Sequence, residues 1–185
     1  VISKEKYFPA GIPHDWVHAR GIDYHAQTPW ACGMMSLSKD NEAFIWGEFN
    51  PSPETHTTLE IASAFADRGG DYTFYPNLVD PYAEAVKKDS ISVKDDLNRV
   101  FYELKREGRT CSTFWESWAT KGEHGRDEIK LRLKNARLVG RPFNNRVNGK
   151  LLPTLWVLDT CPISAESMKS WRWEPPSRPP SSRAR

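Results

Sequence analysis

Apolar residues recur along this chain with two periods, and the two together place most of its elements. Residues 19–25 (ARGIDYH), 31–37 (ACGMMSL) and 43–50 (AFIWGEFN) are rich in strand formers. The polar cluster SKDN at 38–41 supplies a turn between the second and third. Three strands joined by short connections predict an antiparallel meander. PSPE at 51–54 breaks the sheet, and 56–68 reads as a helix with Ile61 and Phe65 four apart. Gly69 and Gly70 end it. Residues 72–79 (YTFYPNLV) predict a fourth strand, although Pro76 removes a ladder donor. A strand–helix–strand passage returns parallel through a right-handed crossover, which sets this strand beside the first.

The strongest helical pattern spans 92–107, where Val93, Leu97, Val100, Phe101 and Leu104 share one face. Ser92 and Asp95 resemble a capping box, and Gly108 suits the position after the helix. The aromatic but irregular stretch 111–123 predicts a loop. A helix follows at 125–137, a turn-rich stretch at 144–150, a fifth strand at 152–159 and a last helix at 162–173 opening on Pro162. Residues 1–18 read as an entry segment, and the Pro/Ser/Arg-rich 174–185 as a disordered tail. The resulting order, β-β-β-α-β-α-α-β-α, predicts an α/β, ribonuclease H-like domain over 19–173. Its sheet has five strands, an antiparallel meander plus two parallel strands, flanked by helices.

Composition narrows the class. A chain of 185 residues with 38% hydrophobic content suits one domain with one core. No apolar run reaches the ~20 residues of a membrane helix. The start carries neither an initiator Met nor a secretory signal, and is expected to be cut from a longer polypeptide. Cys32, Cys111 and Cys161 are odd in number and widely spaced, which argues for a reducing cytosol rather than a disulfide framework. The net charge of +2 conceals an asymmetry: residues 121–150 hold nine Lys or Arg against three Asp or Glu. The remainder is acidic. A basic segment beside an acidic body fits a phosphate-binding surface next to a cation-binding cleft.

The chemistry follows from the acids. Asp23 lies inside an apolar run that opens a β-hairpin, and Asp80 follows another apolar run. If the first and fourth strands are neighbours, both carboxylates converge at the carboxyl edge of the sheet, where open α/β sheets bind ligands. Paired carboxylates suit Mg²⁺ or Mn²⁺, which prefer hard oxygen ligands. Two such ions, about 4 Å apart, activate a water and stabilise the leaving oxygen of a phosphodiester. His25 shares the face of Asp23. Glu48 and Glu60 are possible extra acids, with surface exposure the more ordinary reading, and Glu84 reads as a solvated carboxylate. Arg126, Lys130, Lys134 and Arg137 fall on one narrow face of the predicted helix and favour a polyanion, with His124, Arg141, Arg146 and Lys150 as possible extensions. Trp115 and Trp118 are read as packing residues rather than base-stacking ones.

These segments resemble a known family. GIDYHAQTPWA (21–31), FIWGEF (44–49), LVDPYAE (78–84) and LWVLDTCPISAESMKSW (155–171) are similar, in order and spacing, to the C-terminal nuclease domain of the large terminase subunit of tailed bacteriophages. The resemblance covers 19–173. It implies a metal-dependent endonuclease that cuts concatemeric viral double-stranded DNA during genome packaging, with Asp23 and Asp80 as catalytic metal ligands. It further implies an upstream ATPase domain, a portal and a small terminase subunit as partners, and the host cytoplasm as location. No G-x-x-x-x-G-K-[ST] loop is present, in keeping with a missing motor. The family's third acid, near the last helix, has no counterpart: beyond Asp159 no Asp occurs. The third ligand is expected to lie outside this fragment; the alternatives are a substitute among Asp159, Glu166 and Glu174, or an incomplete site. The remaining alternatives are a catalytically silent module that binds DNA or docks portal and motor, and a resolvase- or integrase-type enzyme.

Overall fold

The computed structural model describes residues 1–85, 87–88, 91–109, 114–118, 123–134, 142–143, 146–147, 150–151 and 154–170. Of residues 87–88, 123–126, 146–147 and 150–151 it describes the backbone only. The chain runs α1 (Lys4–Tyr7), β1 (Val17–Asp23), β2 (Ala31–Leu37), β3 (Ala43–Phe49), α2 (Thr58–Gly69), β4 (Phe74–Val79), α3 (Pro81–Ala85), β5 (Lys87–Lys88) and β6 (Ile91–Ser92). It continues through α4 (Val93–Arg106), β7 (Glu116–Ser117), α5 (Glu123–Arg132), β8 (Arg146–Val147), β9 (Lys150–Leu151), β10 (Leu155–Val157) and α6 (Pro162–Ser170).

The expected meander is present, with Asp23 opposite Ala31 and Leu37 opposite both Val17 and Ala43. β4 returns parallel to β1, with Val79 beside Ile22. The α/β, ribonuclease H-like arrangement stands, but among the described residues the main sheet has six strands rather than five, ordered β10-β3-β2-β1-β4-β7. The extra strand, β7, lies parallel to β4 inside the stretch expected to be a loop. Two residues are too few to show a period, so only the neighbouring β4 reveals them. Pro76 sits where the β1–β4 register slips: His18 faces Phe74, and two residues later Arg20 faces Asn77. A bulge of this kind is where a strand tolerates proline.

One face of the sheet carries the main core. Ile61, Ala62, Phe65 and Ala66 of α2 and Leu97, Val100, Phe101 and Leu104 of α4 are buried with Ile22, Met34, Phe44, Phe74 and Val79. Each buried Leu, Ile or Phe contributes about 1.5–3 kcal/mol. Arg20 points into this face and is 3% exposed. Its Nε donates to Asn77 Oδ1 at 2.6 Å, and its guanidinium lies 4.6 Å from the Phe101 ring centre and 4.8 Å from that of Phe74. Trp115 is fully buried against Phe65 and Phe101, as the packing reading expected. Residues 1–18 are part of the same body. Phe8 and Ile12 are core residues, and Ile2 bridges to Leu158. On the other face, α6 packs Ala165 and Met168 against Val157 and Ile45.

Helix starts are chemically defined. Thr57 and Glu60 form a complete capping box on α2, with Glu60 Oε2 accepting from the Thr57 amide at 2.7 Å. On α4, Ser92 Oγ accepts from the Asp95 amide at 3.1 Å and donates to Asp95 Oδ2 at 2.6 Å. The tail at 174–185 lies outside the described residues.

Candidate metal centre

Side chains alternate along a strand, so burial assigns faces. Ile22 and Val79 are buried against the helices. Asp23 and Asp80, each one residue further on, therefore both fall on the opposite face. The Asp80 amide donates to the Ile22 carbonyl at 2.9 Å, which carries the β1–β4 pairing up to the carboxylates. The two side chains come within hydrogen-bonding reach of each other. Asp80 also begins α3: its Oδ1 accepts from the Tyr82 amide at 2.6 Å, and Pro81 occupies the first helical position. The ordinary reading of an Asp-Pro step and the metal-ligand reading are thus compatible.

Partial desolvation raises the carboxyl of Asp23 above its usual range, the hydrogen bond and charge of Asp80 raise it further, and the charge of His25 opposes them. Because Asp23 as a residue is exposed at the rim of the sheet, the like-charge neighbour is the more telling of these causes. Two carboxylates this close repel when both ionise. A divalent cation relieves that repulsion, and the oxygen-only donor set matches Mg²⁺ or Mn²⁺.

Solved structures share this architecture. The nuclease domain of the P22 large terminase superposes with a TM-score of 0.55 at 10% identity, over 88% of this chain and 72% of that one. The large terminase of a thermophilic bacteriophage, in two crystal forms, gives TM-scores of 0.50 and 0.51 at 14% identity. The match covers 88% of this chain and about a third of that thermophilic phage protein. The fold is that of a large-terminase nuclease domain. No protein-family model matches the sequence, and no curated protein matches it.

Within this terminase-nuclease fold the other acids are structurally engaged. Glu60 is the capping-box carboxylate, held low by hydrogen bonds from Thr57. Glu48 shares the face of Asp23 but caps α6, accepting from the Ile163 and Ser164 amides at 2.8 Å each. Glu84 is not merely solvated: it accepts from Ser117 Oγ and pairs with Lys94 at 2.9 Å, joining α3 to β7 and α4. Asp159 accepts from the Lys4 amide at 2.9 Å, and Glu166 pairs with Lys169 at 3.3 Å. Both lie on the β10 and α6 side, separated from β1 by β3 and β2. Glu174 lies outside the described residues. Among the described residues no group of three His, Cys, Asp or Glu converges as a metal cluster.

The basic face differs from expectation. α5 ends at Arg132, not at 137. The Lys134 amide turns to the Leu131 carbonyl at 3.1 Å, three residues back, which breaks the α-helical ladder, and Thr154 of the segment entering β10 donates to the Arg132 carbonyl at 2.8 Å. Arg132 is also tied to Glu128 and to Asn41 of the β2–β3 turn. That turn is at the end of the sheet opposite Asp23, so the C-terminal end of α5 is remote from the carboxylate pair. Lys130 pairs with Asp127, and Lys134 is exposed in the turn after the helix. The side chains of His124, Arg126, Arg146 and Lys150 lie outside the described residues, as do Arg137 and Arg141 altogether.

Sequence reading passed over two tyrosines. Tyr24 directly follows Asp23, Tyr82 lies two residues after Asp80, and their ring centres are 6.1 Å apart. The signal was present as an aromatic close behind each acid, but only the strand pairing makes the two neighbours.

Proposed function

We propose that this domain is a metal-dependent endonuclease that cuts concatemeric double-stranded DNA during viral genome packaging. The carrying observation is the convergence of Asp23 and Asp80 on one face at the carboxyl ends of the parallel β1–β4 pair. The terminase-nuclease fold agrees with it. Asp23 and Asp80 would hold the divalent ions, with a third ligand unassigned. Divalent ions bound there supply a water of lowered pKa and charge neutralisation at the departing 3′ oxygen.

The chain's own residues prepare the pocket. The Tyr82 amide fixes Asp80 Oδ1, which orients the carboxylate. His25 offsets negative charge at Asp23. Phosphate contacts position DNA without reading bases, so cutting has little sequence preference. Lys130 and Lys134, at the far end of the sheet, serve duplex distant from the cut, and Arg126 and Arg137 belong to the same proposed basic surface. The natural partners are an upstream ATPase domain, a portal and a small terminase subunit in the host cytoplasm. Among the described residues no helix is long and apolar enough to cross a membrane.

The test is cleavage of supercoiled plasmid with Mn²⁺ or Mg²⁺. Asp23→Asn removes cutting while the fold persists; undiminished cutting would falsify the assignment. A second reading, a catalytically silent module that binds DNA or docks portal and motor, draws on the two-carboxylate set. It expects no cutting by the wild-type domain and no Mn²⁺ binding sensitive to Asp80→Ala.

A further inference from the structure

Phe74 and Asn77 are both buried in the core, although they lie three residues apart on β4. Residues three apart on an unbroken strand face opposite ways. The bulge beside Pro76 makes the difference. From His18 to Arg20, β1 advances two residues, while β4 advances three, from Phe74 to Asn77. Beyond the bulge the pairing runs one for one, Gly21 with Leu78 and Ile22 with Val79, which brings Asp80 level with Asp23.

Without the extra residue, the pairing of His18 with Phe74 would continue until Asp23 met Val79. Asp80 would then lie one step beyond Asp23 with its side chain on the other face, since a slip of one residue turns every side chain over. The convergence of the two acids is therefore set at the bulge, which ends three residues before each of them.

Asn77 is built into that bulge. It is 2% exposed, and its side-chain amide reaches three ways. Oδ1 accepts from Arg20 Nε on β1 at 2.6 Å. Nδ2 donates to the Phe74 carbonyl across the bulge at 3.2 Å, and to the Phe114 carbonyl of the segment entering β7 at 3.1 Å. Both amide hydrogens and the amide oxygen are thereby used. Arg20 is held in turn by a ring cage, its guanidinium 5.4 Å from the ring centre of Phe65 and 5.1 Å from that of Trp115, besides those of Phe74 and Phe101.

Burying a guanidinium and an amide costs desolvation that apolar side chains escape. Apolar residues of similar volume often serve stability as well, and fixing register is the best-attested use of such a buried polar set. The bonds of Asn77 join β1, both ends of the bulge and the approach to β7, which are the elements that a slipped register would misalign.

We propose that Asn77, with Arg20, is a positioning residue: the two side chains lock the β1–β4 register that sets Asp23 and Asp80 side by side on one face. That the aligned acids then hold cations rests on the nuclease reading; the lock itself does not.

The test begins with native-state amide exchange of the metal-free chain, read by NMR. The Asp80 amide, bonded to the Ile22 carbonyl at 2.9 Å, reports the pairing beyond the bulge. Asn77→Leu removes the three bonds, and Arg20→Met combined with Asn77→Leu also leaves no buried guanidinium without its acceptor. In both variants exchange at Asp80 should quicken severalfold relative to the amides of α2 and α4, a local loosening that a loss of global stability alone does not produce. Mn²⁺ affinity, measured by calorimetric titration, should fall about tenfold or more, as it does on losing an outer-shell support. Leu104→Ala destabilises through a cavity in α4 and should change neither readout. Unaltered relative exchange at Asp80 in the double variant, Mn²⁺ binding by it at the wild-type affinity, or an equal response to Leu104→Ala overturns the proposal. Loosening at Asp80 in a protein whose wild-type chain binds no Mn²⁺ supports the lock and rejects the nuclease reading instead.

Discussion

Asp23 and Asp80 lie within hydrogen-bonding reach of each other at the rim of the sheet, although a hairpin and a helix separate them in the chain. Removing either acid should therefore remove the same activity. Asp23→Asn and Asp80→Ala should each lower Mn²⁺-supported plasmid cutting at least about a hundredfold, more than the loss of an outer-shell partner typically costs. Mn²⁺ should raise the melting temperature of the wild-type domain and of neither variant. A variant that retains the metal-dependent shift excludes its residue as a ligand.

The same proximity predicts a pH dependence without metal. The folded carboxyl of Asp23 titrates above its unfolded value, so the folded state binds the proton more tightly. Its contribution favours folding at acidic pH and is lost as pH rises from the ordinary carboxylate range through the raised value. Asp23→Asn should consequently raise the melting temperature near neutrality and change it little in acid. Equal shifts at both ends of the pH scale would contradict the pairing.

Glu48 tests whether a carboxylate that shares the face of Asp23 also shares its proposed role. It holds the Ile163 and Ser164 amides. Glu48→Ala should cost about 1–2 kcal/mol in urea unfolding, as loss of a helix cap does. Cutting by the folded variant should keep its wild-type rate.

Glu42 is fully buried, with its carboxylate between the Phe143 amide at 2.8 Å and the Trp156 indole at 3.2 Å. Glu42→Ala orphans both donors and should destabilise by about 1–3 kcal/mol for each one left buried. Glu42→Gln, which keeps an acceptor, should cost less. Chemical denaturation of the two variants measures the difference.

Lys134 is exposed beyond α5, remote from the carboxylates. Lys134→Gln should reduce the salt dependence of duplex binding by about one counterion. Single-turnover cutting at saturating DNA should be unaffected; a slower cut would bring this end of α5 to the site.

The amino-acid sequence alone determined the meander, the helices α2 and α4, and the crossover that sets β4 beside β1, because each rests on local periodicity or on chain chirality. Ser92 as the cap of α4 was legible for the same reason. Tertiary structure decided the rest. Glu48 became a cap only when β3 met α6, Glu84 a tie only when α3 met β7, and the Arg132 carbonyl met the Thr154 amide only when the segment entering β10 came beside α5. Partners far apart in the chain leave no periodic trace, so their hydrogen bonds exist only after the sheet has assembled.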